Sequence, residues 1–263
     1  MSPKAAVVAI ATCFAAVATP ATATTITNTA GSFNFTGFDW AQAGTAFATG
    51  FQPVAGDNFT LTYFAWAVSL QDGIFPFIPP GMDIAANGVD AGYEYTIVAT
   101  LQETVNSCVG TVCDFAINSG TWAIYYDTSS TANANAGALG VGFDDGVVIM
   151  SGTISPLASS TFDTANGANS TTVQGAVTFT NAAFVAPPFA TTTATTTLQL
   201  GNAITNWVNP GGFDGVAFNA GNFPIFQADG NQSFQAVPEP DALALLGLSL
   251  GALGWSLRRR NKA

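Results

Sequence analysis

Residues 24–236 contain no histidine, lysine or arginine. The five basic residues of the chain lie outside that stretch, at Lys4 and within 258–262. Of its sixteen acidic residues, only Glu239 and Asp241 lie outside, which leaves fourteen within the stretch and a formal charge of −14 there. No carboxylate in it can pair with a cationic side chain, so each must be solvated, bound to backbone N–H groups or bound to an external cation.

The missing residue types exclude whole classes of chemistry and partner. Without histidine or lysine, residues 24–236 cannot form a Ser-His-Asp or Cys-His nucleophile or a Schiff-base lysine, and zinc catalysis is disfavoured. Without cationic side chains they cannot neutralise nucleic-acid phosphates or bind an anionic membrane surface. We therefore expect no enzyme, no nucleic-acid partner and no cofactor, with calcium as the one ion that free carboxylates could coordinate.

Residues 1–23 have the layout of a secretory signal peptide. Lys4 supplies the positive region, residues 5–17 supply the apolar core, and Ala21-Thr22-Ala23 supplies a small-x-small cleavage site. We expect signal peptidase to cleave after Ala23, with Ala18 as the alternative position. The rest of the chain divides into a body, residues 24–236, and a C-terminal segment, residues 237–263.

The C-terminal segment has three parts in a fixed order. The rigid tripeptide Pro238-Glu239-Pro240 precedes an uncharged run of sixteen residues, 242–257, and a basic cluster follows at 258–262. As a helix the run would be roughly 24 Å long, a short transmembrane span for a hydrocarbon core of ~30 Å. The basic cluster would hold its end in the cytoplasm, so the body would lie outside the membrane.

This tripartite segment resembles the PEP-CTERM sorting signal of exopolysaccharide-producing Gram-negative bacteria. The resemblance implies that an exosortase recognises the segment and removes the tail, after the helix has held the protein transiently in the inner membrane. The protein would then be exported to the cell surface or the extracellular medium. A permanent single-span anchor is the alternative. The residues that carry the sorting motif are Pro238, Glu239, Pro240, Arg258, Arg259 and Arg260.

The body has the two-residue periodicity of half-buried strands. The odd positions of 93–101 are apolar or aromatic, and the face formed by Val173, Gly175, Val177 and Phe179 alternates in the same way with polar or small residues. The predicted strands are 58–70, 93–101, 121–127, 147–154, 173–180 and 191–200.

Asx-Gly pairs between these runs predict tight turns, because both residue types tolerate positive φ. The pairs are Asp72-Gly73, Asn87-Gly88, Asp145-Gly146, Asn166-Gly167, Asp214-Gly215 and Asp229-Gly230. Short strands separated by turns predict an all-β body, an antiparallel β-sandwich of the jelly-roll or immunoglobulin-like kind. A signal helix would precede this body and a short transmembrane helix would follow it.

Two cysteines of the body, Cys108 and Cys113, lie five positions apart. After export, a disulfide that closes this small loop is the expected state. A metal site is the alternative, although the body has no other cysteine and no histidine to complete it.

Three sequence patterns could place carboxylates for chemistry. Asp144 and Asp145 are adjacent, so on a strand they would point to opposite faces and form a poor catalytic pair. Asp127-Thr128-Ser129 resembles the aspartic-protease motif, and Asp163-Thr164-Ala165 resembles a degenerate second copy. The favoured interpretation is a strand that ends in an Asx-turn, which needs only an aspartate followed by small polar residues.

The tripeptide Gly-Phe-Asp occurs three times, at residues 37–39, 142–144 and 212–214. One interpretation is a repeated loop that contacts calcium or sugar, for which Asp144, Asp145 and Asp214 are the candidate ligands. The favoured interpretation is a repeated strand-end turn whose phenylalanine is anchored in the core, because no EF-hand spacing of acids is present.

The turn at 44–47, the strand at 122–127 and the small cysteine loop look similar to the flocculation-associated PEP-CTERM proteins. That resemblance implies a role in joining cells and exopolysaccharide, and an edge strand at 191–197 could pair between copies. We expect a non-enzymatic matrix protein that promotes aggregation. One alternative is a carboxylate-only hydrolase, and another is a polysaccharide-binding module. The aromatics expected to contact sugar in that module are Trp40, Trp66, Trp122 and Trp207.

The segregation of basic residues predicts that trypsin cannot cut the mature body. No lysine or arginine lies between Lys4 and Arg258, so the heat-denatured body should remain one species on a gel after trypsin treatment. Chymotrypsin, which cuts after aromatic residues, should fragment the same sample. Tryptic fragments from within the body would show that the assumed boundaries are wrong.

Overall fold

The computed structural model describes residues 24–73, 75–164, 170–189, 195–201, 207–218 and 224–235. The chain divides into two compact units, of which Met1–Thr22 and Pro238–Ala263 form one and Ala23–Val237 the other. All described residues belong to the second unit. The predicted cleavage site at Ala23, the signal helix, the sorting motif and the C-terminal helix lie outside the described residues.

The described part of the chain is built from strands and turns, and every ladder between its strands is antiparallel, which confirms the predicted all-β antiparallel class. The strands are β1 Thr25–Asn28, β2 Gly31–Asn34, β3 Gly37–Trp40, β4 Thr45–Thr49, β5 Asn58–Gln71, β6 Pro76–Phe77, β7 Glu94–Val109, β8 Val112–Asp127, β9 Val147–Ile154, β10 Leu157–Asp163, β11 Ser170–Thr180, β12 Val185–Ala186, β13 Thr195–Gly201, β14 Gly212–Phe213, β15 Val216–Ala217, β16 Ile225–Gln227 and β17 Asp229–Gln235.

Eight of these strands form a closed ring of hydrogen-bonded neighbours. The order β3-β5-β7-β8-β9-β11-β13-β17 returns to β3, because β17 pairs with β3 and β3 pairs with β5. Neighbours in the ring follow one another along the chain, as in a meander. Jelly-roll and immunoglobulin-like folds contain Greek-key connections instead. The predicted jelly-roll or immunoglobulin-like topology is therefore replaced by this closed meander.

The interior of the ring is filled by one face of each strand. Tyr95, Ile97, Ala99 and Leu101 of β7 belong to the main buried cluster, as their two-residue period predicted. The rings of Phe38 and Trp40, two positions apart on β3, stack there with centroids 4.7 Å apart. Large aromatic side chains thus hold the centre of the fold by burial.

A bulge changes the predicted exposure of one phenylalanine. Val173 and Val177 of β11 are buried as predicted, but the register against β9 shifts between Val177 and Phe179. The extra residue reverses the alternation of faces, and Phe179 is 44% exposed. The prediction that all four residues share a buried face is wrong at this position for that reason.

Five of the six predicted Asx-Gly pairs lie in the described residues, and at Asp145-Gly146 the glycine does not have the positive φ that the prediction required. Gly73, Gly88 and Gly215 have positive φ, as their turns require. Gly230 instead lies within β17, where an added Cβ would collide with the Tyr63 hydroxyl. A glycine is needed there for close packing, so the turn prediction at that pair is wrong. The pair at 166–167 lies outside the described residues.

The Gly-Phe-Asp repeats anchor phenylalanine rings, as the favoured interpretation predicted, but the first repeat lies within β3 and is not the strand-end turn that was expected. Phe38 is buried inside the ring and Phe143 is buried in a second cluster on the outer side of β5. The second and third repeats converge there, since the rings of Phe143 and Phe213 each lie 4.8 Å from the ring of Phe64.

The predicted edge strand at 191–197 is not an edge where the structure describes it. Strand β13, Thr195–Gly201, pairs along its whole length with β11 on one side and with β17 on the other. Both sets of its backbone groups are used within the fold, so this strand cannot pair with a second copy. Residues 191–194 lie outside the described residues.

A small sheet of β12, β1 and β2 carries the residues that contact the tyrosines of β7 and β8. The Asn28 amide nitrogen donates to the hydroxyls of Tyr93 and Tyr95, both at 3.0 Å. The backbone N–H of Thr29 donates to the hydroxyl of Tyr126 at 3.2 Å. Burial raises the pKa of Tyr93 to about 12 and raises the pKa of Tyr95 as well, so these two phenols stay neutral over the ordinary pH range.

We predict that Asn28→Ala lowers the free energy of unfolding by about 1–3 kcal/mol, because it leaves two tyrosine hydroxyls without their donor. Urea denaturation followed by tyrosine and tryptophan fluorescence measures the change. Asn118→Ala is the matched control, since it removes an exposed hydrogen bond to Thr104, and should cost less than about 0.5 kcal/mol. Equal losses in the two variants would contradict the role given to Asn28.

Candidate functional site

The cysteine loop forms the tip of the long hairpin made by β7 and β8. Cys108 and Cys113 are directly opposite each other in the ladder and are joined by a disulfide. Gly110 has positive φ in the turn between the strands. Val109 beside it is 81% exposed, so the bridge ties together a tip that reaches solvent. The expected disulfide is thus present in the structure.

Three of the four tryptophans proposed as sugar contacts are buried. Trp40 and Trp122 lie inside the ring, and Trp66 packs in the second cluster with its Nε1 donating to the Ile84 carbonyl at 2.8 Å. Trp207 is partly exposed, and its Nε1 donates to Thr45 Oγ1 at 3.2 Å. The aromatic surface predicted from these tryptophans does not exist, because three of them supply the core.

The protease-like motif is a strand end. Asp127 is the last residue of β8, and its Oδ1 accepts the backbone N–H of Ser129 at 2.9 Å, which makes the Asx-turn of the favoured interpretation. Asp163 pairs with Val112 at the opposite end of β8. Fifteen strand positions separate these two ends, or about 50 Å. The two aspartates therefore cannot act on one bond.

The end of β8 brings several carboxylates together around a buried glutamate. Glu94 pairs with Asp127 across the ladder and is 1% exposed. Its Oε1 accepts the backbone N–H of Ala132 at 2.8 Å. Burial raises the pKa of Glu94 to about 7, the hydrogen bond from Ala132 opposes the rise, and the nearby Asp127, Asp83 and Asp145 carboxylates add to it. This group therefore carries a proton through much of the acid range.

A threonine hydroxyl joins two of those carboxylates. The Thr131 Oγ1 lies 3.1 Å from Asp145 Oδ2 and 3.3 Å from Asp127 Oδ2, so its single proton is shared between them. Asp144 points elsewhere, and its pKa is raised by burial and then by the Asp214 and Asp145 charges. Asp144 and Asp145 thus serve different neighbours, as expected of adjacent residues.

The charges of Asp214 and Asp145 both act on Asp144, but these three candidate calcium ligands are not arranged as a metal-binding group. Asp144 and Asp214 are near enough to influence each other, because the phenylalanines of the second and third Gly-Phe-Asp repeats both pack on Phe64. Within the described ranges, no group of three or more acidic, cysteine or histidine side chains has the geometry to hold a metal ion. A single divalent ion bridging two copies of the chain needs no such group and stays a prediction.

A second buried glutamate, which no sequence motif marks, lies in an apolar pocket. Glu103 is 2% exposed, and its Oε2 has no hydrogen-bond partner in the structure. The cavity beside it has a volume of about 20 Å³, room for about one water molecule. Burial raises the pKa of Glu103 to about 8. The residues around the cavity are Ala48, Phe51, Phe59, Leu61, Phe115, Phe162, Pro224 and Phe226.

The burial of Glu103 follows the two-residue period of β7. Glu103 shares the odd-numbered buried face of Ile97, Ala99 and Leu101, and it lies opposite Phe59 of β5 in an unbroken ladder. The register shift against β8 leaves Asn118 as the extra residue on β8, so it does not change the face on which Glu103 lies. The available signal was that Glu103 continues the odd-numbered face of residues 93–101 by one step.

No helix in the described part of the chain is both long enough and apolar enough to span a membrane.

Residues 236–260 match the family model of the PEP-CTERM protein-sorting motif. The chain carries a PEP-CTERM sorting signal. It is therefore exported across the inner membrane and reaches the cell surface after cleavage by exosortase. The match spans the tripeptide at 238–240 and the arginines at 258–260, as the sequence predicted. A search of curated proteins found no match to the chain, and a search of solved structures found none either.

The buried Glu103 predicts an unusual pH dependence of stability. Its pKa is about 8 in the folded protein against 4.5 for the free side chain, so the folded state holds one more proton than the unfolded state between these values. Stability should fall as the pH rises from about 4.5 to about 8. Glu103→Gln should flatten this slope and stabilise the protein by on the order of 3 kcal/mol at pH 8.5.

Urea denaturation at half-unit pH steps measures this effect. Glu94 contributes a slope of the same sign up to its pKa of about 7, so a residual slope should remain below that pH in Glu103→Gln. Asp90→Asn, which removes an exposed carboxylate, is the control and should retain the full slope. A wild-type stability that rises from pH 5 to pH 8 would contradict the buried state of Glu103.

Proposed function

We propose that this protein is a non-enzymatic component of the cell surface or extracellular matrix that promotes exopolysaccharide-associated aggregation of cells. Its described body is an antiparallel all-β unit, whose ring we interpret as the two layers of a sandwich joined on both sides. The observation that carries the proposal is the match of residues 236–260 to the PEP-CTERM sorting motif. That signal delivers the acidic body to the surface where polysaccharide accumulates.

The charge of the body supports a role outside the cell. Its fourteen carboxylates have no cationic side chain to pair with in residues 24–236, so those that reach solvent repel other copies at low salt and can be bridged by divalent cations. Calcium is thus proposed as a bridging ion between molecules, and no cofactor is proposed for the single chain.

The positions of the described carboxylates favour a non-enzymatic matrix protein over a carboxylate-only hydrolase. Asp127 is committed to the turn that ends β8, and Asp163 lies at the far end of the same strand. Glu94 is covered by the backbone of Ala132, whose N–H it accepts. The arrangement is one in which backbone donors organise turns around acidic side chains.

We predict that deletion of the gene leaves polysaccharide synthesis intact but disperses the cells. Addition of the purified mature protein to the deletion strain should restore clumping, measured by sedimentation and by microscopy with the polymer stained separately. Protein lacking residues 237–263, expressed in the deletion strain, is the sorting control and should not restore surface retention.

Normal aggregation of the deletion strain would contradict the proposal. Cleavage of a glycan or peptide by the purified protein, with loss of that activity in Asp127→Asn or Asp144→Asn, would replace it with the hydrolase. A loss of polymer itself in the deletion strain would also contradict the proposal, since it would place the protein in synthesis.

A further inference from the structure

The outer face of the ring carries a row of polar side chains on β5, β3 and β17. The ladders place Ser69 opposite Asp39 and Asp39 opposite Asn231. Because alternate residues of a strand share a face, these side chains lie outside while their neighbours Phe38 and Leu70 fill the core. The Ser69 hydroxyl donates to Asp39 Oδ2 at 3.3 Å, which orients that carboxylate.

A glycine opens the next row of the same face. Gly37 lies between Gln71 of β5 and Ser233 of β17. An added Cβ at Gly37 would lie 3.1 Å from Gln71 Oε1 and would collide with the backbone carbonyl of Gln232. The missing side chain lets Gln71 cross β3, where its Nε2 donates to Asn231 Oδ1 at 3.2 Å.

An exposed aromatic ring forms the wall of the resulting groove. The turn after β5 is set by Gly73, which has positive φ, and by Asp72, whose Oδ1 accepts the backbone N–H of Phe75 at 3.0 Å. These contacts hold Phe75 at the tip of the hairpin between β5 and β6, where it is 70% exposed. A ring this exposed contributes little to the core, although its backbone is held in place.

The groove has an open volume of about 340 Å³, within the ~300–1,000 Å³ of small-molecule sites. It combines an aromatic face, two carboxamides and a carboxylate. Those are the groups that suit a sugar ring, whose apolar C–H face packs on an aromatic ring and whose hydroxyls exchange hydrogen bonds with planar amides and carboxylates. The residues that line it are Asp39, Gln71, Gly73, Phe75, Pro76 and Asn231.

The negative charge beside the groove limits which sugars can bind there. Burial raises the pKa of Asp39, and it also raises the pKa of Asp229, to which the Asp39 charge adds. The two carboxylates therefore repel each other beside the groove, and residues 24–236 contain no cation to offset them. An anionic sugar such as a uronate would be repelled, whereas a neutral sugar would supply hydroxyl donors to both.

We propose that this groove, formed by Asp39, Gln71, Phe75 and Asn231, is a binding site for a neutral polysaccharide, with Phe75 as the stacking surface. The proposal rests on the proposed function for its biological setting and supplies the contact between protein and polymer. It replaces the buried tryptophans as the sugar-binding surface. The groove is open to solvent, so an internal stretch of a polymer chain can bind there and no chain end has to enter.

Affinity electrophoresis of the mature exported protein tests the proposal. Native gels contain dextran, galactomannan or galactan as neutral probes, and alginate or chitosan as charged probes. The wild type should be retarded by at least one neutral polymer and not by alginate. Phe75→Ala should weaken that retardation at least about tenfold, and Asp39→Asn should weaken it at least threefold.

Phe179→Ala is the matched control, because it removes another partly exposed phenylalanine from β11, and it should bind like the wild type. Far-ultraviolet circular dichroism and the unfolding midpoint establish that each variant is folded. Absence of retardation by all three neutral polymers, equal weakening in Phe75→Ala and Phe179→Ala, or retardation confined to chitosan would each overturn the proposal.

These outcomes are separable from the test of the proposed function. Neutral-polymer binding lost in Phe75→Ala would support the groove even if the deletion strain aggregated normally. Conversely, the Phe75→Ala protein and the wild-type protein could restore clumping of a dispersed deletion strain equally well. That result would support the role in aggregation and overturn the groove as the polymer contact.

Discussion

The continuous ladder of backbone hydrogen bonds that runs from β3 around the ring and returns through β17 is the constraint on which the rest of the structure depends. Because residues 24–236 contain no lysine, arginine or histidine, no ion pair between side chains can hold this body together. Backbone pairing and burial must therefore supply the cohesion. Closure also occupies both sides of β13, which removes the edge that its sequence suggested for pairing between copies. The aromatic interior and the cluster on the outer side of β5 are positioned by the registers of this one ladder.

The acidic side chains show how a protein without internal cations accommodates its carboxylates. Some accept backbone N–H groups, as Asp127 and Asp72 do where they shape turns. Glu94 and Glu103 are buried instead, and burial raises their pKa values to about 7 and about 8, so neutralisation by a proton takes the place of a salt bridge. Asp39 lies between these extremes, half-buried in the groove and oriented by Ser69. Each of these environments has a lower free-energy cost than an unpaired buried charge.

The distribution of aromatic rings connects the fold to the proposed role at the cell surface. Trp40, Trp66 and Trp122 are buried, so their rings cannot contact a polymer at the surface. Phe75 is an exception, since the turn before it is hydrogen-bonded while its ring remains in solvent. An aromatic ring beside amides and carboxylates gives a secreted protein a way to hold a hydroxyl-rich polymer without any cation. The sorting signal at 236–260 brings this surface to the outside of the cell.

The sequence by itself determined the strand class, the disulfide, the Asx-turn at Asp127 and the sorting signal, because each follows from local periodicity, spacing or composition. The buried face of Tyr93 to Leu101 was readable for the same reason. Only the tertiary structure decided which strand closes the ring, where a bulge reverses the face of Phe179, and which aromatics remain exposed. The groove could not be predicted from local sequence either, since Gln71 and Asn231 are 160 positions apart in the chain. Long-range register sets these features, and no local pattern in a single strand records the register of its neighbours.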